Sequence, residues 1–232
     1  PHYRSPTLEV VVKADDSPVT RADREAEAVM REMIRQRYPG HGIVGEEYGP
    51  EDTDAEYVWV LDPIDGTISF TRGVPLFTTL ICLKHKGRPV FGAVHQPVLG
   101  QLLIGDGESA TMNDRPVRVS EVERLEDALL CTSDPDAPSR HQPGADYAKL
   151  ERTVRHNRGW GDGYGYLLVA EGGADLMLDP IVNEWDYAAH LPIIRGAGGV
   201  ITDWEGNEPA GETSALAANP RLHEQALGIL NG

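Results

Sequence analysis

Cysteine and phenylalanine are scarce in this chain, with two and three residues respectively among 232. Neither Cys82 nor Cys131 belongs to a Cys-x-x-Cys arrangement, and Cys82 lies within an apolar run as a small buried hydrophobe would. A reducing, cytoplasmic setting is therefore the expectation. Basic residues are also short, 21 Lys and Arg against 37 Asp and Glu, for a formal net charge of −16. That surplus argues against nucleic acid and anionic membranes as partners. No apolar run approaches the roughly 18 residues of a transmembrane helix, and no signal-peptide pattern opens the chain. His41, His85, His95, His141 and His156 are scattered without ligand spacing, which removes a histidine zinc site from consideration.

An acidic protein that handles an anionic substrate needs cations to do so. The run Trp59-Val60-Leu61-Asp62-Pro63-Ile64-Asp65-Gly66-Thr67 offers a place for them. The apolar stretch 58–61 has strand character, and Pro63 is expected to stop the strand and turn the chain. Asp62 and Asp65 would then point into one space with the Ile64 carbonyl between them. Hard oxygen ligands at close spacing suit magnesium. The same letters also spell an ordinary Asp-Pro-x-Asp-Gly turn, so this stretch alone does not decide.

Along the chain, 20–37 reads as a helix opened by a Thr20/Asp23 capping box and ended by Tyr38-Pro39-Gly40. Segments 76–84, 90–95 and 101–104 read as an antiparallel meander, with Gly87-Arg88-Pro89 as a hairpin turn. Later, helices are expected over 147–154, 164–171, 185–197 and 222–230, with strands over 129–131, 174–178, 200–203 and 215–218. Helices and strands thus come in blocks, which suggests stacked α and β layers. The chain divides into an N-terminal α+β half, 1–125, bearing the first acidic motifs, and a C-terminal α/β half, 126–232, bearing the last.

Three acidic groups stand at element ends: Glu46-Glu47 after a strand, Asp62 and Asp65 after another, and Asp186 after Trp185. Converging carboxylates would repel one another severely without cations and would bind magnesium readily. In order, spacing and flanking residues, Gly45-Glu46-Glu47, Asp62-Pro63-Ile64-Asp65-Gly66-Thr67 and Trp185-Asp186 resemble the three motifs of the inositol monophosphatase family, across nearly the whole chain. The resemblance implies a five-layer α-β-α-β-α sandwich of the inositol monophosphatase and fructose-1,6-bisphosphatase type. It implies a magnesium-dependent phosphomonoesterase with two or three Mg2+ ions, sensitive to lithium and homodimeric. Glu46, Asp62 and the Ile64 carbonyl correspond to ligands of a first metal, with Asp62 shared, and Asp65 and Asp186 to ligands of a second. Thr67 and Asp23 correspond to the pair that orients and deprotonates the attacking water, and Gly66 and Thr67 to backbone donors for the phosphate. From the residues alone, Asp23 is only a first-turn helix acid, Glu47 a neighbour of a ligand, Trp185 packing, and His190 a packing residue near Asp186. Lys13 matches a basic position on a loop that helps complete the site, though a solvated lysine accounts for it nearly as well. Position 68 is Ile where relatives often carry Lys or Thr, so a less polar entrance is expected. The family's first helix has no counterpart, which is expected to leave some apolar surface uncovered.

The substrate choice falls on the second half. Gly161-Asp162-Gly163-Tyr164-Gly165-Tyr166 places an acid and two tyrosines before a helix that faces the substrate in relatives, and Asp179 matches a position contacting its organic part. Histidinol phosphate carries an amine and an imidazole that a carboxylate rewards, whereas inositol hydroxyls need none. This run and Ile201-Thr202-Asp203-Trp204-Glu205-Gly206 resemble the histidinol-phosphate phosphatases of the family. Asp162 as a helix cap is the plainer alternative. Histidinol phosphate, giving histidinol and phosphate in histidine biosynthesis, comes first, inositol monophosphate second, and a broad sugar-phosphate or 3′-phosphoadenosine phosphate phosphatase third. A catalytically silent phosphate-ligand-binding homologue is the alternative of another class.

Overall fold

Side-chain alternation along two sheets sets the layering. The computed structural model describes residues 2–5, 10–12 and 18–232. An eight-stranded sheet runs in the spatial order Arg115–Pro116, Ala110–Met112, Gln101–Gly105, Arg88–Gln96, Thr78–His85, Tyr57–Asp65, Gly42–Gly45, Gly49–Glu51. Its pairs are antiparallel except Gly42–Gly45 against Tyr57–Asp65, which is parallel. A five-stranded sheet follows in the order His156–Arg158, Leu129–Cys131, Leu176–Val182, Thr213–Ala218, Val200–Thr202.

Adjacent residues on one strand serve opposite cores, as a period of two requires. Leu61 packs with Ile43 and with Ile34 of the helix Arg21–Arg37. Val60 faces the other way and joins Leu80, Cys82 and Val94 against Leu167 of the helix Asp162–Ala170 and Ile193 of the helix His190–Gly196. Met177 of the second sheet closes that same core from the far side. Its neighbours Leu176 and Leu178 turn outward onto Leu150 of Tyr147–Thr153 and Leu222 of Pro220–Leu230. The result is five layers, α-β-α-β-α. Among the described residues no helix is long and apolar enough to cross a membrane.

Four local expectations need correction. Pro63 does not end its strand: Tyr57–Asp65 continues through it, with a register shift between Asp62 and Asp65 opposite Leu80 and Thr78. A bulge leaves one residue out of the ladder, so the missing proline N–H is tolerated, and Thr79 Oγ1 donates to the Pro63 carbonyl at 2.8 Å. The expected helix over 185–197 is two pieces, Glu184–Tyr187 and His190–Gly196. Pro192 can neither donate to residue 188 nor fit its ring against that carbonyl, which breaks a continuous helix there. The strand expected at 174–178 instead spans Leu176–Val182, passing Asp179 and Pro180 with an irregular register. The hairpin turn lies at Lys86-Gly87, both at positive φ, and Arg88 and Pro89 already belong to the strand.

Candidate active site

The bulge at Asp62-Pro63-Ile64-Asp65 opens onto a cleft of about 370 Å³ that is also lined by Gly161 and Asp162 at the start of the helix Asp162–Ala170. Glu46, Asp62, Ile64, Asp65, Gly66, Thr67, Asp162 and Asp186 all line it. Asp62, Asp65 and Asp186 offer carboxylate oxygens that all lie within 4.8 Å of one another. Asp62 and Asp65 are only 2% and 8% exposed. In each carboxylate one oxygen is held by the protein. Asp62 Oδ1 accepts the Ile64 N–H at 3.0 Å. Asp65 Oδ2 accepts from Thr78 Oγ1 at 2.8 Å and from the Gly163 N–H at 2.6 Å. Asp186 Oδ2 accepts the Asn183 N–H at 2.7 Å, as the third residue of the Glu184–Tyr187 helix in a capping box. Tethering one oxygen orients the group and leaves its partner to serve a cation.

Electrostatics point the same way. Burial, then repulsion by Glu46 and Asp65, pushes the Asp62 carboxyl well above the usual range. Burial, then Asp162 and Asp186, does the same to Asp65. Burial raises Asp186 to about 7, with Glu46 adding to it. Among the described residues, no lysine or arginine lines the cleft to relieve this crowding. Buried carboxylates without a protein cation fit a hard divalent ion, and the donor set of carboxylates plus the Ile64 carbonyl is what such an ion takes.

Asp23 and Thr67 do meet. Thr67 Oγ1 lies 3.0 Å from the Ile64 carbonyl and 3.4 Å from Asp23 Oδ1. Asp23 is fully buried, and its Oδ2 accepts both the N–H and the hydroxyl of Thr20, at 2.8 and 2.5 Å. It is therefore both the capping acid and a neighbour of Thr67. Gly66 precedes the short helix Thr67–Thr71 in left-handed backbone conformation. Ile68, 67% exposed, stands at the rim as an apolar feature of the entrance. Lys13 lies outside the described residues.

A second recess of about 430 Å³ adjoins the first and shares Asp65, Ile68, Asp162 and Asp186 with it. Asp134, Asp162 and Asp179 line it, with Arg140 paired to Asp134. Asp162 is not a helix cap. Gly161 holds that position, and Asp162 is the first helical residue at φ 54°, its N–H donating to Ser133 Oγ at 2.7 Å. A non-glycine residue held in this region stores strain, a pattern that clusters at functional sites. Burial raises its carboxyl to about 6. Gly163 is required next to it, because a Cβ there would sit 2.6 Å from Asp65 Oδ2. Asp179 is 4% exposed and already accepts the Ser133 N–H at 3.1 Å and the Tyr166 hydroxyl at 3.0 Å. His190 is a packing residue. It is fully buried, stacks on Tyr166 at 4.6 Å, and is driven by burial down to about 3, hence neutral.

Sequence reasoning missed Asp134 and the buried pair Glu27 and Arg31, which lie beneath the Glu46 turn. Glu47 does not face solvent: its side chain is 2% exposed, 3.8 Å from Arg24 Nε.

The layered α-β-α-β-α fold brings buried acids together at a polar cleft, and the match to known proteins places the chain among hydrolases of phosphoric monoesters. The chain belongs to the inositol monophosphatase family, whose pattern matches residues 2–231 and whose members are generally metal-dependent. It is 39% identical to a histidinol-phosphatase of Chlorobaculum parvum, over 97% of this chain and 88% of that protein. It is 38% identical to a histidinol-phosphatase of Mycobacterium tuberculosis over the same shares, 97% and 88%. An inositol monophosphatase structure from Zymomonas mobilis superposes with a TM-score of 0.85 at 36% identity, covering 98% of this chain and 89% of that one.

Proposed function

We propose that this protein is a magnesium-dependent phosphatase that hydrolyses histidinol phosphate to histidinol and phosphate. The observation that carries the substrate is the recess beside the carboxylate cluster, where Asp162 offers negative charge to a cationic alcohol, while Asp134 is paired with Arg140 and Asp179 is held by Ser133 and Tyr166. Similarity to proteins named histidinol-phosphatase supports the same reading.

Glu46, Asp62, Asp65, Asp186 and the Ile64 carbonyl would hold two or three Mg2+ ions. Bound there, magnesium supplies positive charge that acidifies a water and steadies the departing oxygen. Thr67 Oγ1 positions the attacking water, and Asp23 Oδ1 receives the proton that Thr67 passes on, while Thr20 keeps the other Asp23 oxygen occupied. The Gly66 and Thr67 amides hold the phosphate. Asp162 meets the ammonium or imidazole of the substrate, and Asp179, both of whose oxygens serve protein donors, supports Ser133 and Tyr166 around it. Lys13 is assigned to completing the site when substrate is bound. A cytoplasmic homodimer is part of this proposal.

Inositol monophosphate is the second reading, favoured by the likeness to the Zymomonas mobilis enzyme. Phosphate release from histidinol phosphate, inositol 1-phosphate and 3′-phosphoadenosine 5′-phosphate with Mg2+ separates the cases. The expected result is a preference for histidinol phosphate of about a hundredfold in kcat/KM, some 2.7 kcal/mol of discrimination. Asp162→Asn is expected to shrink that preference by about tenfold, the loss of one charge-assisted contact. Comparable rates on all three esters would mean a generalist and defeat the argument from Asp162. No Mg2+-dependent release from any of them would mean a silent phosphate-binding homologue.

A further inference from the structure

The helix Arg21–Arg37 carries, one turn apart, two charges that never reach solvent. Side-chain exposures are 0% for Glu27 and 5% for Arg31, and Arg31 Nε donates to Glu27 Oε1 at 2.8 Å. An exposed pair at this spacing is worth a few tenths of a kcal/mol. A buried one is destabilising unless its remaining lone pairs and protons find partners. Here they find them in a single turn of backbone. Glu27 Oε2 accepts the Glu47 N–H at 2.7 Å, and Oε1 also takes the Tyr48 N–H at 3.3 Å. Arg31 donates to the Gly49 carbonyl and, at 3.3 Å, to Glu51 Oε2. Gly45 closes the approach: a Cβ there would lie 2.0 Å from Glu27 Oε1, so only glycine lets the pair sit against the strand end.

Glu46 lies between these fixed points. Its own N–H donates to the Leu61 carbonyl at 3.2 Å, one residue before Asp62, and it lines the cleft with Asp62 and Asp186. Two like charges, Asp62 and Asp186, would drive a loosely held glutamate away, so holding it there before a cation arrives needs a rigid support.

We propose that the buried Glu27–Arg31 pair positions Glu46 for metal binding, by tying down the backbone that follows it, from Glu47 to Gly49, and packing closely against Gly45 before it. The inference rests on the reading of Glu46 as a metal ligand. No amide can replace Glu27: three donors converge on its two oxygens, and the NH2 of glutamine would face at least one of them.

The test is calorimetric titration of metal-free protein with Mg2+, for wild type, Glu27→Gln, Arg31→Lys and Glu46→Gln, with the thermal midpoint of each measured in chelator. Glu27→Gln is expected to weaken Mg2+ binding by about ten- to a hundredfold, as loss of supporting contacts around a ligand does. Arg31→Lys, which keeps the charge pair but loses the planar fork, is expected to weaken it less and in the same direction, and it carries the comparison should Glu27→Gln fail to fold. A purely structural pair would lower the midpoint and leave Mg2+ affinity at the wild-type value. That outcome in the folded variants, with Glu46→Gln weakened, overturns the positioning role and keeps Glu46 a ligand. Wild-type affinity in Glu46→Gln overturns the ligand reading and the positioning role with it.

Discussion

Asp65→Asn is expected to lower turnover by about a thousandfold or more while leaving the fold intact. The asparagine carbonyl can replace Asp65 Oδ2 as acceptor for Thr78 Oγ1 and the Gly163 N–H, so the tie from the strand Tyr57–Asp65 to the helix Asp162–Ala170 survives. What is lost is the other oxygen and its charge, replaced by an NH2 that faces the place of a cation. A unit-charge interaction at about 4 Å is worth about 4 kcal/mol at an effective dielectric of 20, which corresponds to about a thousandfold in rate. Because the metal-free cluster is repulsive, the same substitution is expected to raise the thermal midpoint in chelator. Phosphate release and calorimetry on one preparation check both. Wild-type turnover would remove Asp65 from the machinery, and collapse of the fold would mean that its hydrogen bonds, not its charge, matter.

The second large effect is a pH dependence that reverses with metal. Asp62 and Asp65 are raised well above the ordinary carboxyl value, Asp186 to about 7 and Asp162 to about 6. Between about pH 4 and pH 7 the folded protein therefore binds more protons than the unfolded chain, whose carboxyls titrate near 3.9. Stability rises with pH only where the unfolded state binds more protons, so here it falls as pH rises through this window. The thermal midpoint in chelator is expected to drop between pH 5 and pH 8 as Asp162 and Asp186 lose their protons. Mg2+ needs the ionised carboxylates, so its stabilisation grows over the same window. At a hundredfold excess over its dissociation constant it adds about 2.7 kcal/mol, or about 5–10 °C for a chain of this size. A midpoint in chelator that climbs from pH 5 to pH 8 would show that the cluster is already ionised and neutralised by the protein itself.

The parts of the site legible in the sequence are those whose geometry is local. Asp62, Ile64 and Asp65 follow one another closely, and a strand end with a proline implies that they share a space. Thr20 and Asp23 announce a capping box by spacing alone. The family pattern was needed for the rest: nothing local distinguishes Asp23 from any first-turn acid, or ties Asp186 to Asp62 across more than half the chain. Some features left no legible trace. Glu27 and Arg31 look like a surface pair at helical spacing, because burial depends on what lies over the helix. A helix cap stays open as the plainer alternative for Asp162, because the sequence does not reveal that its backbone turns left-handed. Pro63 reads as a strand terminator, since a bulge opposite Leu80 and Thr78 depends on the partner strand.

By itself, the sequence determined stacked α and β layers and an acidic composition, because these follow from periodicity and residue counts, while the five-layer class and the set of site acids followed from motifs that resemble those of the family. Tertiary structure alone decided which oxygens are tied and which remain for a cation. It also decided that the Glu46 turn rests on a buried ion pair, and that an acid-lined recess adjoins the cleft. Those outcomes depend on residues far apart in the chain meeting at distances of a few ångströms, and on burial, which sets the cost of a charge only once its neighbours are in place.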